Sequence, residues 1–302
     1  MRIQRDPSDP RDPRASTLLV RGDRYASGDF VFLGLPFDMS IPSRPGAKFG
    51  PTAVREALPS LTTFGRNIEL SGRICRDLGD LDLDPASVRV AHDQVQSAAR
   101  DLFAARAVPF FVGGDNGLTG AIIRGLADAR PDLKLGLVVI DSHYDVREYD
   151  DEDSLSSGTP YRRALETPIC AGPRTFILGT REFANSRYYD RWIHERGILT
   201  IPVDAFDSSS AIAIAEEVRA ILESSSDAIF LSIDIDAVEF PGSSAAAPGT
   251  LTSREAIAIV RTIAASPQFI GADLTELSPP WDISGLTAKL AARLFLEVFA
   301  CR

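Results

Sequence analysis

The sequence predicts an α/β fold: a mostly parallel central sheet with helices packed on both of its faces. Three observations carry that expectation. Short runs such as residues 108–112 and 135–140 are apolar at almost every position, the pattern of strands buried on both faces. Segments of helical periodicity lie between such runs, and strands that alternate with helices make parallel sheets. Several runs stop on Asp, Asn or Glu, as strands do when their carboxyl ends open on one crevice. With 302 residues, 44% of them apolar, the chain can bury a large core and still form one domain.

Taken in order, residues 1–25 are rich in Pro, Asp and Arg, with Pro7, Pro10 and Pro13, and predict a flexible arm ahead of a single domain over 26–302. Residues 29–36 predict the first strand. The stretch Ser43-Arg-Pro-Gly-Ala-Lys-Phe-Gly-Pro51 is too rich in Gly and Pro for a helix, and 51–58 then suits a short helix with Pro51 at its first position. Helical periodicity covers 90–107. The strand 108–112 runs into Gly113-Gly114-Asp115-Asn116, a helix follows over 119–129, and the next strand opens at Leu135. An acidic loop, 148–153, and the segment Ser156-Ser-Gly-Thr-Pro-Tyr-Arg162 come after it. Strands are expected at 174–178, 198–203, 228–233 and 269–274, and helices at 186–196, 211–223, 253–265 and 286–299, with Ser253 capping the third of these. There is no internal repeat and no clear linker.

Two strands end in the same way. The run 135–140 leads into Asp141, His143 and Asp145, and the run 228–233 into Asp234 and Asp236. In extended chain, alternate side chains share a side, so each set converges. Bare carboxylates at the end of an apolar strand are costly unless a cation meets them. Four Asp balance two divalent cations, and an oxygen-rich set with an imidazole suits Mn2+ better than Zn2+. The Gly113-Gly114 turn aims Asn116 at the same crevice, and Glu276, two residues past a buried strand, reaches it as well. His92 and His194 read instead as surface or helix-end histidines.

The balance of 32 Lys and Arg against 42 Asp and Glu gives a net charge of −10, and no basic run reverses it, so nucleic acid is not an expected partner. No apolar run reaches the ~18 residues of a membrane span, and the N-terminus lacks the apolar core of a signal peptide. Three cysteines far apart, Cys75, Cys170 and Cys301, argue against a disulfide framework and for a reducing cytoplasm.

From about Asp29 onward these motifs, in order and spacing, resemble the ureohydrolases: arginase, agmatinase and formimidoylglutamase. The resemblance rests on Arg44-Pro-Gly-Ala-Lys-Phe-Gly-Pro-Thr-Ala-Val-Arg55, Gly113-Gly-Asp-Asn116, Asp141-Ser-His-Tyr-Asp145, Ser232-Ile-Asp-Ile-Asp236, Ala247-Pro-Gly-Thr250 and Glu276. It implies a three-layer α/β/α fold with a sheet of about eight strands, a small amidine or guanidine substrate, and a homo-oligomer. It further implies two Mn2+ ions held by Asp141, His143, Asp145, Asp234 and Asp236, with Asp141 and Asp234 bridging. By the same resemblance Glu276 contacts the amidine group, and Asp145 carries a proton during hydrolysis of a C–N bond.

Two departures bear on this reading. The family's usual Gly-Gly-Asp-His is Gly-Gly-Asp-Asn here, so Asn116 stands at a histidine ligand position, and an amide oxygen there should hold its ion more weakly. Agmatinases usually read His-Gly-Thr where this chain has Ser157-Gly158-Thr159. That segment, together with 183–189 and 278–287, is most similar to formimidoylglutamases. The implied substrate is N-formimidoyl-L-glutamate, cleaved to L-glutamate and formamide, with Ser157, Gly158 and Thr159 beside it and Arg181 or Arg187 meeting its anionic end. The alternatives are an agmatinase or other guanidino-acid ureohydrolase releasing urea and, in another class, a non-catalytic paralogue marked by Asn116.

Overall fold

In the computed structural model, which describes residues 9–65, 67–149 and 155–302, eleven strands are formed among the described residues. They are β1 (Leu19–Arg21), β2 (Phe30–Leu35), β3 (Phe64–Gly65), β4 (Ile68–Glu69), β5 (Cys75–Asp80), β6 (Val108–Gly113), β7 (Leu135–Ile140), β8 (Cys170–Thr180), β9 (Leu199–Pro202), β10 (Ala228–Asp234) and β11 (Phe269–Thr275). The helices are α1 (Gly50–Ala57), α2 (Val88–Ala104), α3 (Gly117–Ala129), α4 (Pro160–Leu165), α5 (Arg187–Glu195), α6 (Ala205–Ser208), α7 (Ala211–Ser225), α8 (Ser253–Ala264) and α9 (Leu286–Ala300).

Nine strands form one sheet in the order β1-β5-β2-β6-β11-β10-β7-β8-β9, every neighbouring pair parallel. The central strands are buried along almost their whole length because both faces are covered. Alternation divides them between two cores. Phe110, Val112, Val138 and Ile140 pack on one side with α1, α7, α8 and α9, and Phe111, Leu137 and Val139 pack on the other with α2, α3, α4 and α5. The result is the three-layer α/β/α architecture.

The sheet is wider than the eight or so strands anticipated, and the extra elements lie where apolar patterning is weakest. β5 reads Cys-Arg-Asp-Leu-Gly-Asp and is only half-buried, so it carries no apolar run. β1 is a three-residue edge strand, short and charged as edges commonly are. It lies inside the stretch expected to be a flexible arm. Ala15 and Leu18 are buried and β1 pairs with β5, so part of that stretch is built into the fold; residues 1–8 lie outside the described set. The hairpin β3–β4 was also not anticipated. α8 starts one residue earlier than a Ser253 cap would place it. Thr252 is the cap, and its hydroxyl and the Glu255 carboxylate close a full capping box. Residues 150–154, most of the acidic loop, lie outside the described residues.

Candidate active site

The four strands at the middle of the sheet, β6, β11, β10 and β7, deliver the acidic groups from their carboxyl ends. The convergence is made by turns rather than by continued extended chain. β7 stops at Ile140. Asp141 then accepts the backbone N–H of His143 on Oδ1 at 2.6 Å, and Asp145 sits in the left-handed region at φ 43°. β10 uses the same local device: Asp234 Oδ1 accepts the N–H of Asp236 at 2.9 Å, opening a short 3-10 turn over Ile235–Ala237. A carboxylate that closes a turn two residues ahead suits Asp, whose side chain has the reach for it.

Two donor groups result, each within 4.8 Å internally: Asp141, His143 and Asp236, and Asp141, Asp145 and Asp234. Asp141 belongs to both. His143 Nδ1 lies 3.2 Å from Asp236 Oδ2 and 3.5 Å from Asp141 Oδ1. Burial would lower the imidazole pKa, but hydrogen bonds and charge from Asp141 and Asp236 outweigh it and hold His143 up at about 12. Burial raises the Asp141 carboxyl to about 6, with the Asp236 charge adding to it. Asp145 and Asp234 are pushed well above the usual carboxylate range, by desolvation first and then by their acidic neighbours. One imidazole cannot neutralise four carboxylates, three of them on buried residues. Asp236 Oδ1 is buried with no hydrogen-bond partner, an orphaned acceptor of the kind a cation satisfies. The donor set therefore fits two hard divalent cations sharing Asp141.

Asn116 belongs to the Asp145 side. Its Nδ2 donates towards Asp145 Oδ2 at 3.0 Å, Tyr161 Oη at 3.2 Å and Asp141 Oδ2 at 3.3 Å, while its Oδ1 accepts from Thr119 and Thr275 hydroxyls, both at 3.2 Å. Its side chain does not cap α3, although Asn116 stands at the cap position. Tyr161, fully buried, donates to Asp141 Oδ2 at 3.1 Å. Sequence reasoning passed over it because Thr-Pro-Tyr reads as an ordinary helix start. Glu276, at φ 64°, directly follows β11 and is 2% exposed. Its Oε1 accepts the Asn116 N–H at 2.6 Å and its Oε2 accepts the Ser244 hydroxyl. Desolvation and the Asp115 charge raise its carboxyl well above the usual range.

A pocket of about 350 Å³ adjoins the cluster, lined by His143, Asp145, Arg147, Tyr149, Asn185 and Tyr189 among others. Arg147, a residue the sequence reading did not single out although it follows Asp145 by two, brings a guanidinium-bearing side chain to this lining. Arg187 faces a separate surface hollow with Tyr188, Arg191 and Glu195, and Arg181 is not among the residues lining the pocket. The 157–159 segment packs behind it: Gly158 O accepts the Arg147 N–H at 2.8 Å, and a Cβ on Gly158 would stand 2.9 Å from Arg147 Cδ. The Thr159 hydroxyl is engaged by Ser156, and the Ser157 N–H by Ser40 O at 3.3 Å. His194 is exposed at the end of α5 as expected, but His92 is 1% exposed inside the α2 interface, and burial lowers its pKa to about 3.

Similarity to known proteins agrees with this geometry. A formimidoylglutamase from Halobacterium salinarum is 33% identical over 304 residues, spanning 97% of this chain and 95% of that one. The crystal structure of formimidoylglutamase from Bacillus subtilis matches with a TM-score of 0.92 at 26% identity, covering 100% of this chain and 95% of that chain. A formiminoglutamase from Trypanosoma cruzi, crystallised with Mn2+, matches with a TM-score of 0.86 at 26% identity over 96% and 99% of the two chains. The sequence model of the Arginase family matches residues 28–301, a span that holds every strand of the site, and the chain therefore belongs to the arginase family and is one of its enzymes.

Proposed function

We propose that the chain is a binuclear manganese hydrolase that cleaves N-formimidoyl-L-glutamate to L-glutamate and formamide. The observation that carries the chemistry is the sharing of Asp141 between two largely buried donor groups. Asp141, His143, Asp145, Asp234 and Asp236 would hold two Mn2+, with Asn116 at the edge of the Asp145 side. When bound, the ions supply Lewis acidity and a water acidic enough to attack near neutral pH. Asp145 is placed to take a proton and pass it to the departing nitrogen. Glu276 holds the amidinium by its two N–H groups. Four Asp offset two divalent ions, so the Glu276 charge is left to pair with a cationic substrate.

The substrate reading rests on the 157–159 and 183–189 segments and on Arg147, which lines the pocket with His143 and Asp145 and carries the fork a glutamate carboxylate would take. The same reading takes the enzyme as cytoplasmic and homo-oligomeric. The test is a panel assay for formamide, urea and ammonia with N-formimidoyl-L-glutamate, agmatine and guanidinobutyrate, on manganese-loaded protein. Formamide release from the first substrate is expected. Urea release from a guanidino compound with no turnover of formimidoylglutamate overturns the substrate, and no turnover of any member overturns the proposed activity.

A further inference from the structure

The motif beginning at Arg44 plays no part in the site described so far, yet its first residue lies one contact from it. Residues 241–244 form neither helix nor strand; they are tied to the rest by the isolated bridge Ser243 to Leu277, a few backbone bonds and the Thr287 hydroxyl, which accepts the Gly242 N–H at 3.1 Å. Their carbonyls need donors, because buried C=O groups are seldom left unpaired. The Ser278 N–H serves Gly242 O at 2.8 Å and the Ser43 hydroxyl shares Ser244 O at 3.0 Å; Arg44 supplies the rest. Its Nη2 donates to Ser243 O at 2.7 Å and Pro241 O at 3.4 Å, and its Nε donates to Ser244 O at 3.1 Å. The guanidinium is itself fixed, 4.8 Å from the centre of the Trp281 ring, whose Nε1 donates to Pro45 O at 3.0 Å. Ser244, buried at 3% exposure, then gives its hydroxyl to Glu276 Oε2 and its N–H to Glu276 O at 3.2 Å.

We propose that Arg44 is a positioning residue for Glu276: by drawing three carbonyls of the 241–244 segment onto one guanidinium, it holds the Ser244 hydroxyl where it fixes the carboxylate that faces the amidinium. The inference rests on the role given to Glu276 above. Both Glu276 oxygens are otherwise free to turn about the side-chain bonds; the Asn116 N–H fixes one and Ser244 the other, and two anchors define the plane of the carboxylate. A planar fork with several donors is what this job requires, and an ammonium cannot reproduce it.

The test is a double-mutant cycle in manganese-loaded protein on the substrate the panel assay identifies, with thermal melting and bound metal measured for each variant. Arg44→Ala and Ser244→Ala are each expected to lower kcat/KM on the order of tenfold, more through KM than kcat, because Glu276 meets the substrate in the ground state as well as the transition state. The double variant should be no worse than the poorer single, and bound metal should stay at the wild-type level. Arg44→Lys, which keeps the charge and part of the donor set, should recover part of the loss, and it serves alone with Ser244→Ala if Arg44→Ala fails to fold. Losses that multiply in the double variant, or an Arg44 variant with unchanged KM beside an impaired Ser244→Ala, overturn the proposal. Glu276→Gln is the separate arm: full turnover in that variant would show that the site itself has been misread, whatever the cycle gives.

Discussion

Asp145 and Glu276 share a property besides charge: both hold φ above zero, a conformation that costs a residue with a side chain about 1–3 kcal/mol. Glycine would be the easy choice at either place, so the carboxylates are kept against the local backbone preference, and the surrounding sheet sustains them. Asn116 lies against two of the ligand candidates, Asp141 and Asp145. Its amide turns nitrogen towards Asp145 and Asp141, an arrangement in which it offers no ligand atom. Asn116→His is expected to slow loss of the ion on the Asp145 side to a chelator and to lower the manganese needed for full activity; unchanged ion affinity would show that position 116 plays no part in holding it. The five charged ligand candidates were legible because buried carboxylates at strand ends are hard to explain otherwise. Arg147 was not, since the left-handed turn at Asp145 redirects the chain and side-chain alternation no longer says where the next residue points.

The same groups set a pH dependence for metal-stripped protein. Asp141, Asp115 and Asp273, each raised to about 6, and Asp145, Asp234 and Glu276, raised further, bind protons more readily folded than unfolded. Their contribution is fully present below the unfolded carboxylate pKa of about 4 and is lost as pH climbs through the folded values. His143, raised to about 12, has the same sign. His92, lowered to about 3, has the opposite one, with stability present above about 6.5 and lost as pH falls. Six carboxylates outnumber one histidine, so the stripped protein should melt at a higher temperature at pH 5.5 than at pH 7.5. In manganese-loaded protein protons compete with the ions, and the order should reverse. Thermal melts at the two pH values, with and without manganese, decide it; a stripped protein that melts lower at pH 5.5 would contradict the assignment.

Elements carry the site only as far as their ends meet. The β6 end passes so close to the chain after β2 that a Cβ on Gly114 would lie 1.5 Å from Phe37 O. That approach is fixed by three bonds of 2.8 Å: Gly114 N to Leu35 O, Asp115 N to Phe37 O, and Glu276 N to Gly114 O. Gly114→Ala must push backbone rather than a flexible side chain. A cost of about 3 kcal/mol, and with it a fall of about 6–12 °C in Tm, is expected together with loss of bound manganese; a variant that melts and binds metal like the parent would refute the packing argument. Strands such as β6, β7, β10 and β11 were legible because both faces are covered and most positions are apolar. β5 was not, because Arg76 and Asp77 interrupt its pattern: Asp77 pairs with Arg55 of α1 at 2.8 Å, so the strand depends on a partner distant in sequence.

For the whole molecule, alternation of strands and helices in the sequence indicated a parallel sheet with two covered faces, but not its strand order. Nothing local distinguishes β11 at the centre from β9 at the edge except burial, and the wedge of β11 between β6 and β10 is a matter of distant pairing. The two cores are likewise a product of that order, since each central strand sends alternate residues to opposite sides.

That wedge has a consequence for biosynthesis. β11 follows the other eight strands of its sheet in the chain, so until residues 269–275 have left the ribosome β6 and β10 have no shared neighbour, and each presents an open row of backbone donors and acceptors flanked by Phe110, Phe111 and Phe230. Glu276 and the closing of the sheet thus arrive together. A chain stopped at residue 268 is expected to pellet from lysates, whereas the chain through residue 302 stays in the supernatant. A shorter chain that stays in the supernatant would mean that the two halves of the sheet can close without their middle strand.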